Sequence, residues 1–206
     1  MVLGDQVRTV IGLDPSYQRT GAAVWREGRV ATFSVATSVD DGPRVKRQRI
    51  IAGRVFPLVS ERLFNTEDGL LKGSLEAVVM IEAVHMKRLK GRTPLDLAGL
   101  HDVLVYGFHA RQITVGVVYP QGPKVMATSK GNASKTDMVD AALSELGLQV
   151  GNSDEADALW LMVMGVVAGG GTVRGWGGHA LEDKARQRAM AKVEWIGSFE
   201  PDWLKG

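Results

Sequence analysis

Three acids stand at the head of the segment Asn152 to Gly165, NSDEADALWLMVMG, and nearly everything behind them is apolar. Carboxylates favour the positive end of a helix dipole and satisfy its unpaired amides, so capping by Asp154 accounts for one or two of the three. With Asp154 as the N-cap, Asp157 falls in the first turn on the same side, directly ahead of the apolar run. A carboxylate pair half sunk beside a core usually needs a cation. Glu82 raises the same question from inside Ala77 to Ala83, AVVMIEA, where an unpaired glutamate carries a large desolvation penalty. Asp14 closes the run Thr9 to Pro15, TVIGLDP. Asp before Pro is common in turns, which serves as a reading of Asp14 alone but not of Glu82. Two divalent ions would supply the partner that these acids lack.

The acids depend on elements that bring them together. Thr9 to Pro15 reads as a buried strand, ended by a proline that cannot continue the ladder. Gly21 to Trp25 and Val30 to Ala36 read as two more strands joined around Glu27-Gly28, giving an antiparallel meander. Ala77 to Ala83 has the length and continuous apolarity of a strand covered on both faces, and Val115 to Tyr119 adds a fifth. Helices are expected from Arg44 to Phe64, with a kink at Pro57, and from Thr93 to about Gln112, with Thr93 as N-cap. Two more follow, from a cap at Ser134 to about Leu146 and from Asp154 to Ala168. The order predicts an α/β fold with a mixed five-stranded sheet flanked by helices. Sites in such sheets form at the carboxyl ends of strands, where Asp14 and Glu82 both lie.

The chain has 206 residues, 45% of them hydrophobic, enough for one well-buried core. Cysteine is absent, which excludes disulfides and thiolate metal sites. The longest apolar stretch, Ala158 to Gly171, is too short to span a bilayer, and no secretory leader is read at the start, so a soluble cytoplasmic protein with no membrane partner is expected. Net charge is only +2, yet the bases cluster. Arg44, Lys46, Arg47, Arg49 and Arg54 read as a solvated helix face, whereas Lys87, Arg88, Lys90 and Arg92 form a loop directly behind Glu82. Residues 169–179 read as a glycine-rich linker between a domain of residues 1–168 and a charged C-terminal helix and tail, residues 180–206, with the helix from Ala180 to about Glu194.

The motifs, taken in order, resemble those of the RuvC-type Holliday junction resolvases of the RNase H-like superfamily. Ile11 to Ser16 with Thr20-Gly21 is similar to the family's first motif, Val79 to Glu82 to its second, and Asp154 to Leu159 to its closing helix. Gly131 to Lys135 falls where the family has a lysine at a helix start. The resemblance covers about residues 8 to 168. It implies an RNase H-like fold and a Mg²⁺-dependent endonuclease that resolves four-way DNA junctions by paired symmetric nicks. It further implies that Asp14, Glu82, Asp154 and Asp157 ligate two Mg²⁺ ions, with Mn²⁺ as a substitute, that Lys135 and Lys130 contact phosphate near the cut, and that the protein is a homodimer. Where well-known members place an aromatic residue behind the second-motif glutamate, this chain has Ala83-Val84-His85-Met86. His85 and Met86, with Lys87, Arg88, Lys90 and Arg92, are therefore the expected DNA contacts there. Glu155 reads as a surface acid that satisfies the helix dipole. Three other readings stand beside this one: an RNase H-like nuclease acting on RNA, one acting on other branched DNA, and a DNA-binding protein that does not cut. A phosphate-binding loop at Gly131 to Thr136 is disfavoured, because serine occupies positions 129 and 134 where that motif needs glycine.

Overall fold

A computed structural model of the chain describes residues 7, 9–58, 77–84, 93–177 and 181–197. Its strands are β1 (Thr9–Asp14), β2 (Arg19–Arg26), β3 (Arg29–Ala36), β4 (Ala77–Glu82), β5 (Thr114–Val118) and β6 (Glu194–Ile196). Its α-helices are α1 (Arg44–Val55), α2 (Thr93–His109), α3 (Gln121–Thr128), α4 (Lys135–Leu146), α5 (Ser153–Ala168) and α6 (Lys184–Met190). The strands form one sheet in the order β3-β2-β1-β4-β5-β6. β1, β2 and β3 make the expected antiparallel meander, while β1, β4 and β5 run parallel. The tight turn into β3 uses Glu27 and Gly28, both at positive φ, as a two-residue hairpin requires.

The two-residue pleat decides which way the acids point. Ile11, Leu13, Val79 and Ile81 pack with Ile51, Leu100 and Leu104 on the face covered by α1 and α2. Val10, Val78 and Met80 pack on the opposite face, with α3, α4 and α5. Alternation then assigns Gly12, Asp14 and Glu82 to the α5 face, and the register Leu13↔Ile81 sets the two acids side by side at adjacent strand ends.

α5 lies almost in contact with the sheet backbone. A Cβ on Gly12 would fall 2.0 Å from the carbonyl oxygen of Ala158, and one on Gly21 would fall 2.0 Å from that of Asp154. A Cβ on Gly165, farther along the helix, would strike Val10 and Met80. Missing side chains on both partners thus allow a close seam, and the seam carries Asp154 and Asp157 down to Asp14. The remainder of α5 is buried on all sides, as its unbroken apolar sequence demands.

Several expected elements differ. Among the described residues the sheet has six strands, not five: the chain leaves the expected C-terminal helix after Met190, and Glu194–Ile196 pairs antiparallel with β5 through Val115↔Ile196 and Val117↔Glu194. Asp183 caps α6, accepting from the Ala185 amide, and the open edge of β5 captures the β-branched and aromatic residues that follow. α1 runs to Val55 and helix resumes at Pro57, so the expected kink falls there: Pro57 has no amide to donate and its ring crowds the carbonyl four residues earlier, while residues 59–64 of the expected helix lie outside the described residues. α3 has no counterpart among the elements read from the sequence. Within the glycine-rich segment, Val173 and Trp176 are buried and bridge one another, and Trp176 packs edge-on against Trp160 at 5.3 Å between ring centroids. Among the first basic cluster, Arg47 turns inward, donating to the Tyr17 carbonyl and, at 3.1 Å, to Thr37 Oγ1.

Candidate active site

The start of α5 is fixed by Asn152, whose Oδ1 accepts from the amides of Asp154 at 3.0 Å and Glu155 at 3.1 Å. Asp154 is therefore not the N-cap, and its carboxylate turns to Lys135, Nζ to Oδ1 3.3 Å. Lys135 is itself placed by the start of α4, where Ser134 and Asp137 form a capping box. Glu155 is not the expected surface acid. It is buried, and it accepts from the Gly151 amide at 3.0 Å, Asn152 Nδ2 at 2.8 Å and Thr32 Oγ1 at 3.1 Å. Those bonds tie the head of α5 to β3.

Among the described residues, Asp14, Glu82 and Asp157 have no such donors. Burial pushes the Asp14 carboxyl well above the usual range, and the charges of Glu82, Asp157 and Asp154 push it further. Glu82 is raised to about 7, by burial first and then by Asp157, against the pull of Lys124 and Lys135. Asp157 is raised by burial, again against Lys135 and Lys124. Lys135 is held above its usual range: burial opposes its charge, but the hydrogen bond and charge of Asp154, with Asp157 and Asp14, outweigh it. Three elements thus deliver three half-buried acids, each raised by at least one neighbouring carboxylate or by burial, with Asp154 and two lysines at their border. Such perturbed groups mark functional sites far more often than structural ones. Lys124, on α3, was not singled out from the sequence. The signal was present: prolines at 120 and 123 suit the first turn of a helix, and that helix turns Lys124 toward the acids.

The chain is 30% identical over 155 residues to the crossover junction endodeoxyribonuclease RuvC of Anaeromyxobacter dehalogenans (strain 2CP-C), a match spanning 75% of this chain and 78% of the relative. The chain belongs to the RuvC family. Two solved structures of Thermus thermophilus RuvC share its fold, each over 75% of this chain and 90% of the other. One matches with a TM-score of 0.55 at 21% identity, and the other, in complex with a Holliday junction substrate, with 0.56 at 19%. No protein-family model matches the chain. The kinship read from Ile11 to Ser16, Val79 to Glu82 and Asp154 to Leu159 is borne out.

Against that RuvC fold, the candidate residues divide into three groups. Asp14, Glu82, Asp154, Asp157 and Lys135 come together. Lys130 does not join them; it is exposed, at the rim of a separate cavity of about 480 Å³ between α3 and α4. His85, Met86, Lys87, Arg88, Lys90 and Arg92 lie outside the described residues. Among the described residues, no three carboxylates stand close enough to enclose an ion without adjustment. The donor set nevertheless fits a hard divalent cation: it is all oxygen, its acids are half-buried, and among the described residues only the lysines at its border offset its charge. No helix among the described residues is long and apolar enough to cross a membrane.

Proposed function

We propose that this chain resolves four-way DNA junctions, making paired symmetric nicks by metal-dependent phosphodiester hydrolysis. One observation carries the reading: half-buried Asp14, Glu82 and Asp157, from β1, β4 and α5 of a RuvC-family fold, each raised by desolvation and by like charge. Asp14, Glu82, Asp154 and Asp157 would hold two Mg²⁺ ions, for which Mn²⁺ can substitute. When bound, the ions lower the pKa of water and offset the negative charge of the phosphate under attack.

The chain's own residues supply placement and charge. The carboxylates, once ionised, fix the cleft's negative charge between adjacent strand ends, and no side-chain nucleophile is required. Lys124 and Lys135 border the cleft as mobile cations suited to phosphate oxygens. Asn152 and Glu155 hold the head of α5 so that Asp154 and Asp157 keep their height above the sheet. Lys130 and the segment His85, Met86, Lys87, Arg88, Lys90 and Arg92 serve as further DNA contacts.

Two symmetric cuts call for two copies of the site, and the active form is a homodimer acting in the cytoplasm. A Cβ on Gly107 of α2 would meet the Phe56 ring of the same chain at 2.2 Å, so that glycine seats α2 on its own chain rather than on a partner. Leu95, Val103 and Tyr106 offer a better surface, being 68%, 41% and 74% exposed on one side of that helix. Sedimentation at twice 22.2 kDa, reduced to one by Tyr106→Glu, tests the dimer. The activity is tested by incubating four-way junction, flap, R-loop and linear duplex with Mg²⁺ or with chelator and mapping the nicks. Paired symmetric nicks in the junction alone, lost with chelator, are expected. Preferential cutting of the R-loop or flap would replace the junction with another substrate, and binding without cutting would remove the nuclease.

A further inference from the structure

α3 separates the acid cleft from a second concave surface. It turns Lys124 toward the acids, while Gln121 and Val125 turn toward α6, and a cavity of about 210 Å³ lies between the two helices. The floor is apolar, built from Val118, Val125 and Ala189. Tyr119 stands at one rim, 48% exposed, with its hydroxyl donating to Glu194 Oε1 at 3.0 Å. Arg188 and Lys192 stand at the other, both exposed, and neither has an ion-pair partner among the described residues. With Lys184 they recur every four residues and so line one edge of α6 and the turn after it.

This surface is firmly held. Met190 is fully buried, Asp183 accepts from Ser129 Oγ, and the Arg186 guanidinium lies 5.1 Å over the Trp176 ring, which in turn packs on Trp160. It is also continuous with the cleft. Val118, in its floor, is the register partner of Glu82 across β4 and β5, so only the width of α3 intervenes. That width is about 10 Å, within reach of a strand that continues past the cleft.

An apolar slot beside an aromatic ring, rimmed by two unpaired cations, has the chemistry of a nucleotide site: a flat π face, with anions to either side. We propose that it holds an unpaired nucleotide of a DNA strand leaving the acid cleft, with the base stacked on Tyr119 over the cavity and the flanking phosphates on Arg188 and Lys192. The proposal rests on the reading of the chain as a junction nuclease, and it gives the C-terminal α6–β6 segment a share in substrate binding.

The test is equilibrium binding of a four-way junction to the full chain, with Asp14→Asn as the parent so that no strand is cut, across a range of salt. Arg188→Ala with Lys192→Ala should reduce the slope of log affinity against log salt by about 1.8, or about 0.9 per lost phosphate contact. Tyr119→Leu should weaken binding about 5- to 150-fold, the range for one stacked base, whereas Tyr119→Phe, which loses only the Glu194 bond, should stay within about twofold of the parent. A slope unchanged in the double variant, or equal affinities for Tyr119→Leu and Tyr119→Phe, overturns the proposal while leaving the junction reading intact. Saturation of the cavity by free deoxyadenosine monophosphate, with no effect of the double variant on DNA, assigns it to a free nucleotide and also overturns the proposal. A parent that binds no junction overturns the junction reading and the proposal together.

Discussion

Glu155 and Asp157 sit two residues apart in the first turns of α5, one buried and the other half-buried, and they are opposites. Glu155 has three donors from three residues. Among the described residues Asp157 accepts no such bond; Asp154, Lys135 and Lys124 act on it only through their charge, and its carboxyl is raised. Burial alone therefore does not mark a site. What separates the two is whether the fold supplies donors: it does so for the acid that fastens α5 to β3, and it withholds them from the acids facing β1 and β4. A charge left uncompensated by the chain must be compensated by something that binds, which is the physical content of a metal site.

The largest expected effect comes from removing an acid of the second kind. Asp14→Asn or Glu82→Gln should lower the rate of junction cutting by about a thousandfold or more, as losing several kcal/mol of transition-state stabilisation implies. The same replacements should raise the melting temperature of the metal-free protein at neutral pH, since a repelled charge is gone. Calorimetry in chelator and single-turnover cleavage in Mg²⁺ read the two signs separately. A stability loss with retained cutting would place Asp14 with Glu155, among the fastening acids.

The pH dependence sharpens the same contrast. Glu82 rises from its ordinary value near 4.5 to about 7 in the folded chain. A raised carboxyl contributes stability that is fully present below pH 4.5 and is lost as pH climbs through 7. For Glu82 the loss is about 3 kcal/mol, at about 1.36 kcal/mol per unit. Asp14 acts in the same direction. Denaturant unfolding of the metal-free protein should thus show wild type losing stability relative to Glu82→Gln between pH 4.5 and 8. Mg²⁺ should raise the melting temperature more at pH 8 than at pH 5, because only ionised carboxylates attract it.

Glu155→Gln tests the fastening side. The amide keeps one acceptor oxygen but turns a donor toward other donors, so stability should fall by about 1 to 3 kcal/mol, with cutting per folded molecule within about tenfold of wild type. Thermal unfolding and active-site titration separate the two quantities. The smallest effect should come from Lys124→Ala, about a tenfold slower reaction for a partly exposed charge. Its signature is in the pH profile: with Lys124 gone, Glu82 rises further and the acid limb of the rate moves to higher pH.

Legibility in the sequence followed how local the determinants are. β1 and β4 declare themselves by continuous apolar runs ending in acids, and Ser134 with Asp137 marks the start of α4 to the residue. The cap of α5 was ambiguous because Asn152, Ser153 and Asp154 are all able to cap. The choice falls on Asn152, whose amide group also meets Glu155. Glu155 itself could not be read correctly, since its donor Thr32 lies 123 residues away. Lys124 was hidden by Pro120, Gly122 and Pro123, which read as turn residues but fit a helix's first turn. The role of Val193 to Ile196 depended on an open strand edge far upstream, which no local pattern announces.

That edge has a consequence for solubility. Without Glu194–Ile196, β5 would border the sheet with a row of unpaired amides and carbonyls along Thr114 to Val118, TVGVV, a segment with no charge in it. Exposed, uncharged, β-branched edges template the addition of further strands from other molecules. β6 replaces such an edge with one three residues long that begins in exposed Glu194. A chain ended before residue 181 should therefore keep its acids in place yet scatter light on refolding at concentrations where the full chain stays clear, and its aggregates should bind thioflavin.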